Sequence, residues 1–213
     1  MPNTVPEKVW TIVVAGGSSQ RFGRPKQYEP LGMARVLDWS MRAASNVSDG
    51  VVLVVPAADA ECEGGIAGGM TRSASVRNGL AAVPADATII CVHDASRPFA
   101  GTELFDSVIA AVANGADCAI PGIEVIDTIK VVDPSGVVLS TPDRSALRAV
   151  QTPQAFRASV LRAAHSSAAD GTDDATLVEA AGAKVIVVAG HADNRKITYP
   201  ADLDWARTKV GHR

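Results

Sequence analysis

The sequence has few aromatic residues, and this shortage favours one class of fold. Aromatic side chains make up 4% of the 213 residues, whereas 47% of the residues are hydrophobic, with alanine, valine and isoleucine abundant. A core of small and branched aliphatic residues is typical of a parallel sheet that helices cover on both faces. The length suits one well-buried domain. We therefore expect a single α/β domain that spans residues 1–213.

Cysteine is scarce and poorly placed for disulfide bonds or metal binding. The three cysteines, Cys62, Cys91 and Cys118, are odd in number, widely spaced and contain no C-x-x-C pair. This pattern suggests neither a disulfide framework nor a zinc site. We expect these residues to be small buried hydrophobic side chains in a reducing compartment.

Positive charge is also in short supply. The formal net charge is −3 at pH 7, so the chain lacks the generally basic surface that nonspecific nucleic-acid binding requires. An anionic ligand must then be held by a local cluster of cations. Residues 1–8 show no charged head followed by an apolar core, and no apolar run approaches the roughly 18 to 20 residues of a membrane span. We expect a cytoplasmic protein with neither nucleic acid nor membrane among its partners.

What the sequence does contain is a glycine-rich loop over residues 15–27, directly after the apolar run at 9–14. The loop reads A-G-G-S-S-Q-R-F-G-R-P-K-Q. Its first glycines and serines allow backbone N–H groups to approach anionic oxygens closely, and Arg21 and Lys26 supply positive charge. This combination favours a polyphosphate ligand.

The loop differs from both of the common glycine-rich phosphate loops. It contains neither G-x-x-x-x-G-K-[ST] nor a G-x-G-x-x-G that runs straight into a helix. Pro25 instead keeps the chain extended before Lys26, so the lysine lies at the far end of a long loop. A glycine turn with two solvated cations is the alternative interpretation.

A second glycine pair, Gly68-Gly69, precedes a helix predicted over residues 73–82 with Thr71 or Ser73 as its cap. Because backbone N–H groups are unpaired at the start of a helix, this stretch is a second plausible site for an anion or a base. An ordinary capped helix is the simpler interpretation of the same residues.

Polar residues also follow the buried strand predicted at 88–92. This strand delivers H-D-A-S-R-P at its C-terminal end, where open α/β sheets bind their ligands. Asp94 can hold a divalent metal or a ribose hydroxyl, and Arg97 can pair with phosphate or with that carboxylate. A structural Asp–Arg pair is the alternative. We expect a structural role for His93, because the sequence supplies it with no metal-ligand partner.

The pattern changes near residue 127. Residues 127–132 and 137–140 are two strand-like runs that a D-P-S-G turn separates, with no helix between them. An isolated hairpin of this kind is only marginally stable, so we expect it to pack against something else.

The last third of the chain returns to alternating elements. T-P-Q-A-F at 152–156 leads into a helix predicted over 157–169, and a strand at 184–189 precedes D-N-R-K-I-T and a closing helix at 200–209. Capping of the helix predicted at 175–181 explains Asp173 and Asp174 fully. A lone lysine such as Lys196 is usually just solvated.

Five of these stretches, in this order, resemble the 2-C-methyl-D-erythritol 4-phosphate cytidylyltransferases of the non-mevalonate isoprenoid pathway. They are the glycine-rich loop with its P-K-Q ending, G-G-M-T-R-S-A-S-V, H-D-A-S-R-P, T-P-Q-A-F and D-N-R-K-I-T. The chain departs from the family pattern at Met70, at Ser96 and in the short connection at 57–69. The resemblance implies a Rossmann-like, mostly parallel sheet flanked by helices, with residues 127–150 as a β-hairpin arm for dimerisation.

The resemblance also assigns roles to individual residues. The catalytic residues it implies are Arg21, Lys26 and Lys196, which surround a triphosphate. The nucleotide-binding residues it implies are Ala15, Gly16, Gly17, Ser18, Gly69, Ser75 and Asp94. The substrate-binding residues it implies are Asp94, Arg97, Thr128, Arg144, Thr152 and Thr172. In the family, the arm's threonine and arginine complete the polyol-phosphate site of the partner in a homodimer.

The implied reaction joins CTP to 2-C-methyl-D-erythritol 4-phosphate and releases pyrophosphate. The attacking phosphate monoester has a second pKa of about 6 and is largely anionic at neutral pH, so no general base is required. Mg²⁺ or another divalent cation is expected to bridge the triphosphate oxygens, with Asp94 as a weak metal ligand. Two alternatives are a cytidylyltransferase for another polyol phosphate, such as ribitol 5-phosphate, and a nucleotide-binding protein without turnover. The presence of acceptor-side residues argues against the second.

Overall fold

Strands and helices alternate over most of the chain, as the sequence predicts. The computed structural model describes residues 6–17, 19, 21–166 and 169–211. The strands there are β1 (Val9–Val14), β2 (Pro30–Leu31), β3 (Ala34–Arg35), β4 (Gly50–Val55), β5 (Ile66–Ala67), β6 (Ile89–Asp94), β7 (Cys118–Glu124), β8 (Val131–Val132), β9 (Val138–Ser140), β10 (Arg148–Val150), β11 (Gln154–Arg157) and β12 (Val185–Ala189). The α-helices are α1 (Val36–Ser45), α2 (Arg72–Ala82), α3 (Thr102–Ala113), α4 (Ala158–Ala164), α5 (Asp174–Ala180) and α6 (Pro200–Val210).

The central sheet is mostly parallel. Its strand order is β10-β7-β11-β6-β1-β4-β5, and β12 pairs with β7. The pairs formed by β1, β4, β5 and β6 are parallel, as is the pair of β7 and β12, whereas β10 and β11 run antiparallel to their neighbours. Val14 at the end of β1 lies beside Asp94 at the end of β6. The glycine-rich loop and Asp94 therefore leave the same edge of the sheet.

The two faces of the sheet bury separate apolar clusters. Ile12 and Val13 are adjacent in β1 and lie in different clusters, because alternate residues of a strand point to opposite faces. Leu37 of α1 and Phe105 of α3 belong to the cluster on one face. Residues of α2, α4 and α5 belong to the cluster on the other face. This double cover explains why the strands consist of continuous apolar runs.

A third apolar cluster attaches α6 to the glycine-rich loop. It joins buried Phe22 to Leu31, Ile197 and Leu203. The middle of the glycine-rich loop and the segment before α6 are thus fixed to the same small core, and this holds the loops that carry Arg21 and Lys196 on one side of the molecule.

Two segments differ from their predicted structure by more than a residue or two at an end. The helix predicted over 157–169 is shorter and comprises only Ala158–Ala164. His165 caps it, and the Ser166 hydroxyl donates to the Ala163 carbonyl at 2.7 Å, a local bond that competes with helix continuation. The connection at 57–69 also contains β5, which pairs with β4 and extends the sheet.

The predicted hairpin is present, with shorter strands than expected. β8 and β9 pair antiparallel, and Asp133 Oδ1 accepts hydrogen bonds from the backbone N–H groups of Ser135 and Val137 in the turn. Its apolar side chains are largely exposed, with Val137 at 60% and Leu139 at 64%. The expectation that residues 127–150 form a dimerisation arm therefore stays a prediction.

No helix in the described part of the chain is long and apolar enough to cross a membrane.

Candidate active site

A cavity of about 600 Å³ lies where β1 and β6 end and α2 begins. Most of the predicted catalytic and nucleotide-binding residues line it. These are Ala15, Gly16, Gly17, Arg21, Lys26, Gly69, Ser75, Asp94 and Lys196. Ser18 lies outside the described residues. The residues that the sequence separates into four stretches thus meet at one site.

The glycine-rich loop is fixed at both ends. The Ala15 N–H donates to the Val54 carbonyl at 2.7 Å, which ties the start of the loop to β4. The 3₁₀ helix Lys26–Tyr28 forms its far end, directly after Pro25. No atom of the described residues lies within 4 Å of the position that a Cβ on Gly17 would occupy, the chain neighbours of Gly17 aside. Gly17 lines the cavity, so its backbone is accessible to a ligand there.

Lys26 carries its charge at an energetic cost. Burial and the nearby charges of Lys196 and Arg21 lower the pKa of Lys26 from 10.5 to about 8. Among the described residues no carboxylate lies within salt-bridge distance of its ammonium group. An anionic ligand in the cavity would therefore stabilise the protonated form of Lys26.

Asp94 lines the cavity, and two cations hold it in the ionised form. Its Oδ2 accepts from Lys196 Nζ at 2.6 Å, and its Oδ1 accepts from the guanidinium of Arg72 at 3.3 Å. Burial is the largest influence and would raise the pKa of Asp94, but Arg72 and Lys196 together hold the pKa well below its usual range. The predicted alternative of an Asp94–Arg97 pair is wrong, since Arg72 and Lys196 are the partners.

The segment that carries Lys196 is held on both sides. The N–H of the adjacent, fully buried Ile197 donates to the Ser96 carbonyl at 2.8 Å. Asp202 of α6 accepts from the N–H groups of Thr198 and Tyr199. The lysine is therefore not simply solvated, as the sequence alone would suggest. It projects from a braced segment into the cavity.

The first turn of α2 forms the opposite wall. Thr71 caps the helix by accepting from the Ala74 N–H at 3.1 Å. Ser75 Oγ accepts from the Gly69 N–H and donates to the Thr71 carbonyl, so the glycine pair is folded back onto the helix. A Cβ on Gly69 would lie 2.5 Å from the Ala74 Cβ, and this position therefore requires glycine. Met70, which is 99% exposed, also lines the cavity.

The donor set suits a magnesium ion only when phosphates take part. Among the described residues no group of three or more His, Cys, Asp or Glu side chains could hold a metal. Asp94 is the one carboxylate among the described residues that line the cavity. Mg²⁺ is commonly bound through one or two carboxylates together with substrate phosphates. Asp94 fits that arrangement, and the protein alone does not provide a complete site.

Five of the predicted substrate-binding residues do not line this cavity. Thr128 and Arg144 are exposed on the arm, where Arg144 donates to the Ile126 carbonyl at 2.6 Å. Thr172 is exposed next to Thr176. Arg97 donates to the backbone carbonyls of Asn194 and Val150. Thr152 Oγ1 accepts from the Asp94 N–H at 3.0 Å.

His93 has the structural character that the sequence predicts. Its side chain is fully buried, and Nδ1 lies 3.1 Å from Thr152 Oγ1. Burial lowers its pKa to about 4, so the ring is neutral near pH 7.

The capping interpretation is right for Asp173 and wrong for Asp174. Asp173 accepts from the Thr176 N–H at 2.9 Å and caps α5. Asp174 is fully buried instead, and its carboxylate binds Arg72 and His165. Sequence reasoning therefore missed the part that Arg72, Asp174 and His165 play beside the site. The sequence contains no signal for these contacts, because Asp174 has the same place in a helix as any capping carboxylate.

The chain is similar over nearly its whole length to one family of known proteins. A family model described as 2-C-methyl-D-erythritol 4-phosphate cytidylyltransferase matches residues 9–212. Relatives of that name from Nocardia farcinica and Frankia casuarinae are 41% and 43% identical, over 96% and 92% of this chain and 95% and 79% of theirs. The crystal structure of such an enzyme from Thermus thermophilus matches with a TM-score of 0.83 at 32% identity, and covers 96% of this chain and 99% of that one.

Proposed function

The chain belongs to the 2-C-methyl-D-erythritol 4-phosphate cytidylyltransferase family, and we propose that its cavity binds CTP with the triphosphate among Arg21, Lys26 and Lys196. Its reaction transfers the CMP moiety of CTP to 2-C-methyl-D-erythritol 4-phosphate and gives 4-diphosphocytidyl-2-C-methyl-D-erythritol and pyrophosphate. The observation that carries the proposed placement is the meeting of these three cations with a glycine-rich loop in one cavity.

The proposed mechanism needs positioning and charge rather than a general base. A phosphate oxygen of the acceptor attacks the α-phosphorus of CTP, and the bond from that phosphorus to the bridging oxygen of the leaving pyrophosphate breaks. The acceptor is already anionic at neutral pH. The barrier comes from bringing anions together, and cations fixed around the transferring group lower it. This agrees with the neutral, buried state of His93.

Lys26 is the cation best placed to respond to the triphosphate. Its pKa of about 8 means that the protonated form is destabilised when no anion is bound, and a bound triphosphate would stabilise that form. Lys196 differs, because its ammonium group is already paired with Asp94 at 2.6 Å. We propose that Lys26 and Arg21 bind the phosphates directly, and that Lys196 joins them while it anchors Asp94.

The base and ribose of CTP are proposed to lie between the start of the glycine-rich loop and the first turn of α2. Backbone groups of residues 15–17 and of Gly69 line this part of the cavity, and the Ser75 hydroxyl supports them. Met70 offers an exposed, polarizable thioether beside them. Asp94, at the end of β6, is proposed to meet the ribose or a bound divalent cation.

A divalent cation such as Mg²⁺ is proposed to enter with CTP. It would neutralise charge on the triphosphate oxygens, with Asp94 as its one protein ligand. Only one carboxylate, that of Asp94, is found among the described residues that line the cavity. This supports the arrangement, because phosphate oxygens and water would have to supply the remaining ligands.

A homodimer is proposed to complete the acceptor site. Thr128 and Arg144 lie on the exposed arm rather than at the cavity of their own chain, and the arm presents apolar side chains that a partner would cover. Arg97, Thr152 and Thr172 are proposed to contribute from the same chain as the cavity. The cytoplasm is the proposed location, and the three free cysteines agree with a reducing compartment. Cys91 and Cys118 are buried as expected, whereas the expectation was wrong for Cys62, which is exposed.

Pyrophosphate release by the purified protein tests the proposal. CTP and Mg²⁺ are supplied with 2-C-methyl-D-erythritol 4-phosphate in one reaction and ribitol 5-phosphate in another. We expect release with the first acceptor, and loss of rate by a factor on the order of 10²–10³ for Lys26→Ala with an unchanged fold. Turnover by Lys26→Ala at the wild-type rate would remove the proposed role of Lys26, and release with ribitol 5-phosphate alone would change the acceptor.

A further inference from the structure

Two carboxylates from different parts of the fold hold the guanidinium of Arg72. Nη1 donates to Asp174 Oδ2 at 2.6 Å, while Nε and Nη2 both donate to Asp94 Oδ1 at 3.3 Å. Asp94 lines the nucleotide cavity, whereas Asp174 is the first residue of α5 and lies outside it. A guanidinium has five N–H groups, so two remain for a ligand. Arg72 itself lines the cavity.

Asp174 is itself held by a second buried residue. Its side chain is fully buried, and its Oδ1 lies 2.9 Å from Nε2 of His165, whose side chain is 2% exposed. Both carboxylate oxygens are therefore occupied, one by Arg72 and one by His165. Nδ1 of the same ring is buried and has no hydrogen-bond partner within the part of the chain that the structure describes. Asp174 is thus the polar group that orients the ring.

The backbone near these residues is linked to α2 as well. Thr71, the cap of α2, donates to Asp170 Oδ1 at 2.7 Å, and the Gly171 N–H donates to Ser73 Oγ at 3.2 Å. Arg77 donates to the Ala169 carbonyl at 3.0 Å. The segment between α4 and α5 therefore contacts the same helix turn that presents Gly69 and Arg72 to the cavity.

We propose that His165 and Asp174 are positioning residues for nucleotide binding. His165 orients Asp174, Asp174 fixes one side of Arg72, and Arg72 holds Asp94 where Lys196 and the nucleotide can reach it. The proposal rests on the function proposed above and adds two residues that do not themselves line the cavity. Its physical basis is competition for one guanidinium. Without Asp174, Arg72 would pair with Asp94 alone and draw the carboxylate away from Lys196.

Steady-state kinetics of three variants test this role. His165→Leu fills the same space without a hydrogen-bond donor, and His165→Gln keeps an N–H donor for Asp174. Val178→Ala is the matched control, because Val178 is fully buried on the same helix as Asp174 and belongs to the apolar core. We expect His165→Leu to raise the KM for CTP about tenfold, with the KM for the acceptor nearly unchanged. His165→Gln should have a KM for CTP close to that of the wild type. Val178→Ala should lower Tm and leave the KM for CTP unchanged.

A double-mutant cycle separates positioning from general stability. If His165 acts through Arg72, adding His165→Leu to Arg72→Lys should change the KM for CTP by less than about twofold beyond Arg72→Lys alone. Fully additive effects of the two substitutions on the KM for CTP would overturn the proposal. So would a His165→Leu variant with the same KM for CTP as an active wild type. Asp174→Asn is a second probe of nearly the same shape, and an unchanged KM for CTP there would also overturn it. A wild type that releases no pyrophosphate would instead count against the proposed function.

Discussion

Lys196 and Lys26 line one cavity, and the charge of Lys196 lowers the pKa of Lys26. Burial is the largest cause of the shift, Lys196 is the second and Arg21 the third, and the pKa of Lys26 falls from 10.5 to about 8. The fold therefore holds like charges together before any ligand binds. An arrangement of this kind is unfavourable for the free protein and favourable for a polyanion.

The affinity for CTP should fall as the pH rises through 8. Below that pH Lys26 is already protonated, whereas above it CTP must bind together with a proton, because the bound triphosphate raises the pKa of Lys26. The Kd should rise by up to about tenfold per pH unit over this range. Isothermal titration calorimetry at pH 8.5, in buffers of different ionisation enthalpy, should detect proton uptake.

Lys26→Arg is the control for this pH dependence. An arginine stays protonated at these pH values, so the variant should bind CTP with an almost constant Kd between pH 7.5 and about 9.5. A variant that keeps the full pH dependence of the wild type would assign the titration to another group.

Lys26→Met should make the protein more stable and nearly inactive. The pKa of Lys26 is lower in the folded chain than its ordinary value of 10.5. Its charge therefore costs folding free energy at every pH below about 8, and the cost disappears as the pH rises from 8 towards 10.5. Removing the charge should raise the free energy of unfolding by on the order of 1 kcal/mol at pH 7. Thermal melts of both proteins at pH 7 and near 10 should show a Tm gain that shrinks with pH. An equal gain at both pH values would contradict this explanation.

Most of the residues that the sequence alone places correctly adjoin the end of a predicted strand, and Lys196 was placed by the resemblance to the family. Residues 15–27 follow a buried strand directly, and Asp94 ends another, so their meeting at one sheet edge follows from parallel pairing. β5 was missed because its two residues are too few to show an alternating pattern. It is a strand only because it pairs with β4.

The errors come from contacts between residues far apart in the chain. Arg97 lies three positions after Asp94 and is its natural partner in the sequence, yet it bonds backbone carbonyls at Asn194 and Val150. Arg72 arrives at Asp94 from another helix, and Asp174 approaches Arg72 from 102 positions away. A sequence pattern does not predict these contacts of Arg72, because they depend on how α2 and α5 pack on one face of the sheet.

Asp94→Asn should weaken the effect of Mg²⁺ on CTP binding. The carboxylate is the only one among the described cavity residues, so the amide should remove the protein's direct share in holding the metal. We expect Mg²⁺ to tighten CTP binding less in the variant than in the wild type, while affinity for metal-free CTP is retained or improved because two cations lose their carboxylate. Titrations with and without Mg²⁺ measure both quantities.

Asp94→Asn also removes the carboxylate of two ion pairs, and this destabilises the fold. The loss is smaller than the about 3–5 kcal/mol of a fully buried pair, because the side chains of Lys196 and Arg72 are partly exposed. Thermal melts must therefore show that Asp94→Asn is folded at the assay temperature. An unchanged effect of Mg²⁺ in a folded variant would exclude Asp94 as a metal ligand.

Mixing two inactive variants should restore activity if the arm completes the site of a partner. Lys26→Ala removes a cation from the cavity, and Arg144→Ala removes the arginine from the exposed arm. In a mixed dimer, one site combines the intact cavity of the Arg144→Ala chain with the intact arm of the Lys26→Ala chain. The other site carries both defects.

Random exchange of equal amounts gives half mixed dimers, each with one intact site in two, so about a quarter of the wild-type rate should return. Co-expression of differently tagged chains, followed by isolation of the mixed species, should return about half. If the mixed dimer stays as inactive as its parents while Arg144→Ala alone is inactive, Arg144 acts within its own chain. The arm would then have to fold back toward the cavity, and the exposure of its apolar side chains would need another partner to explain it.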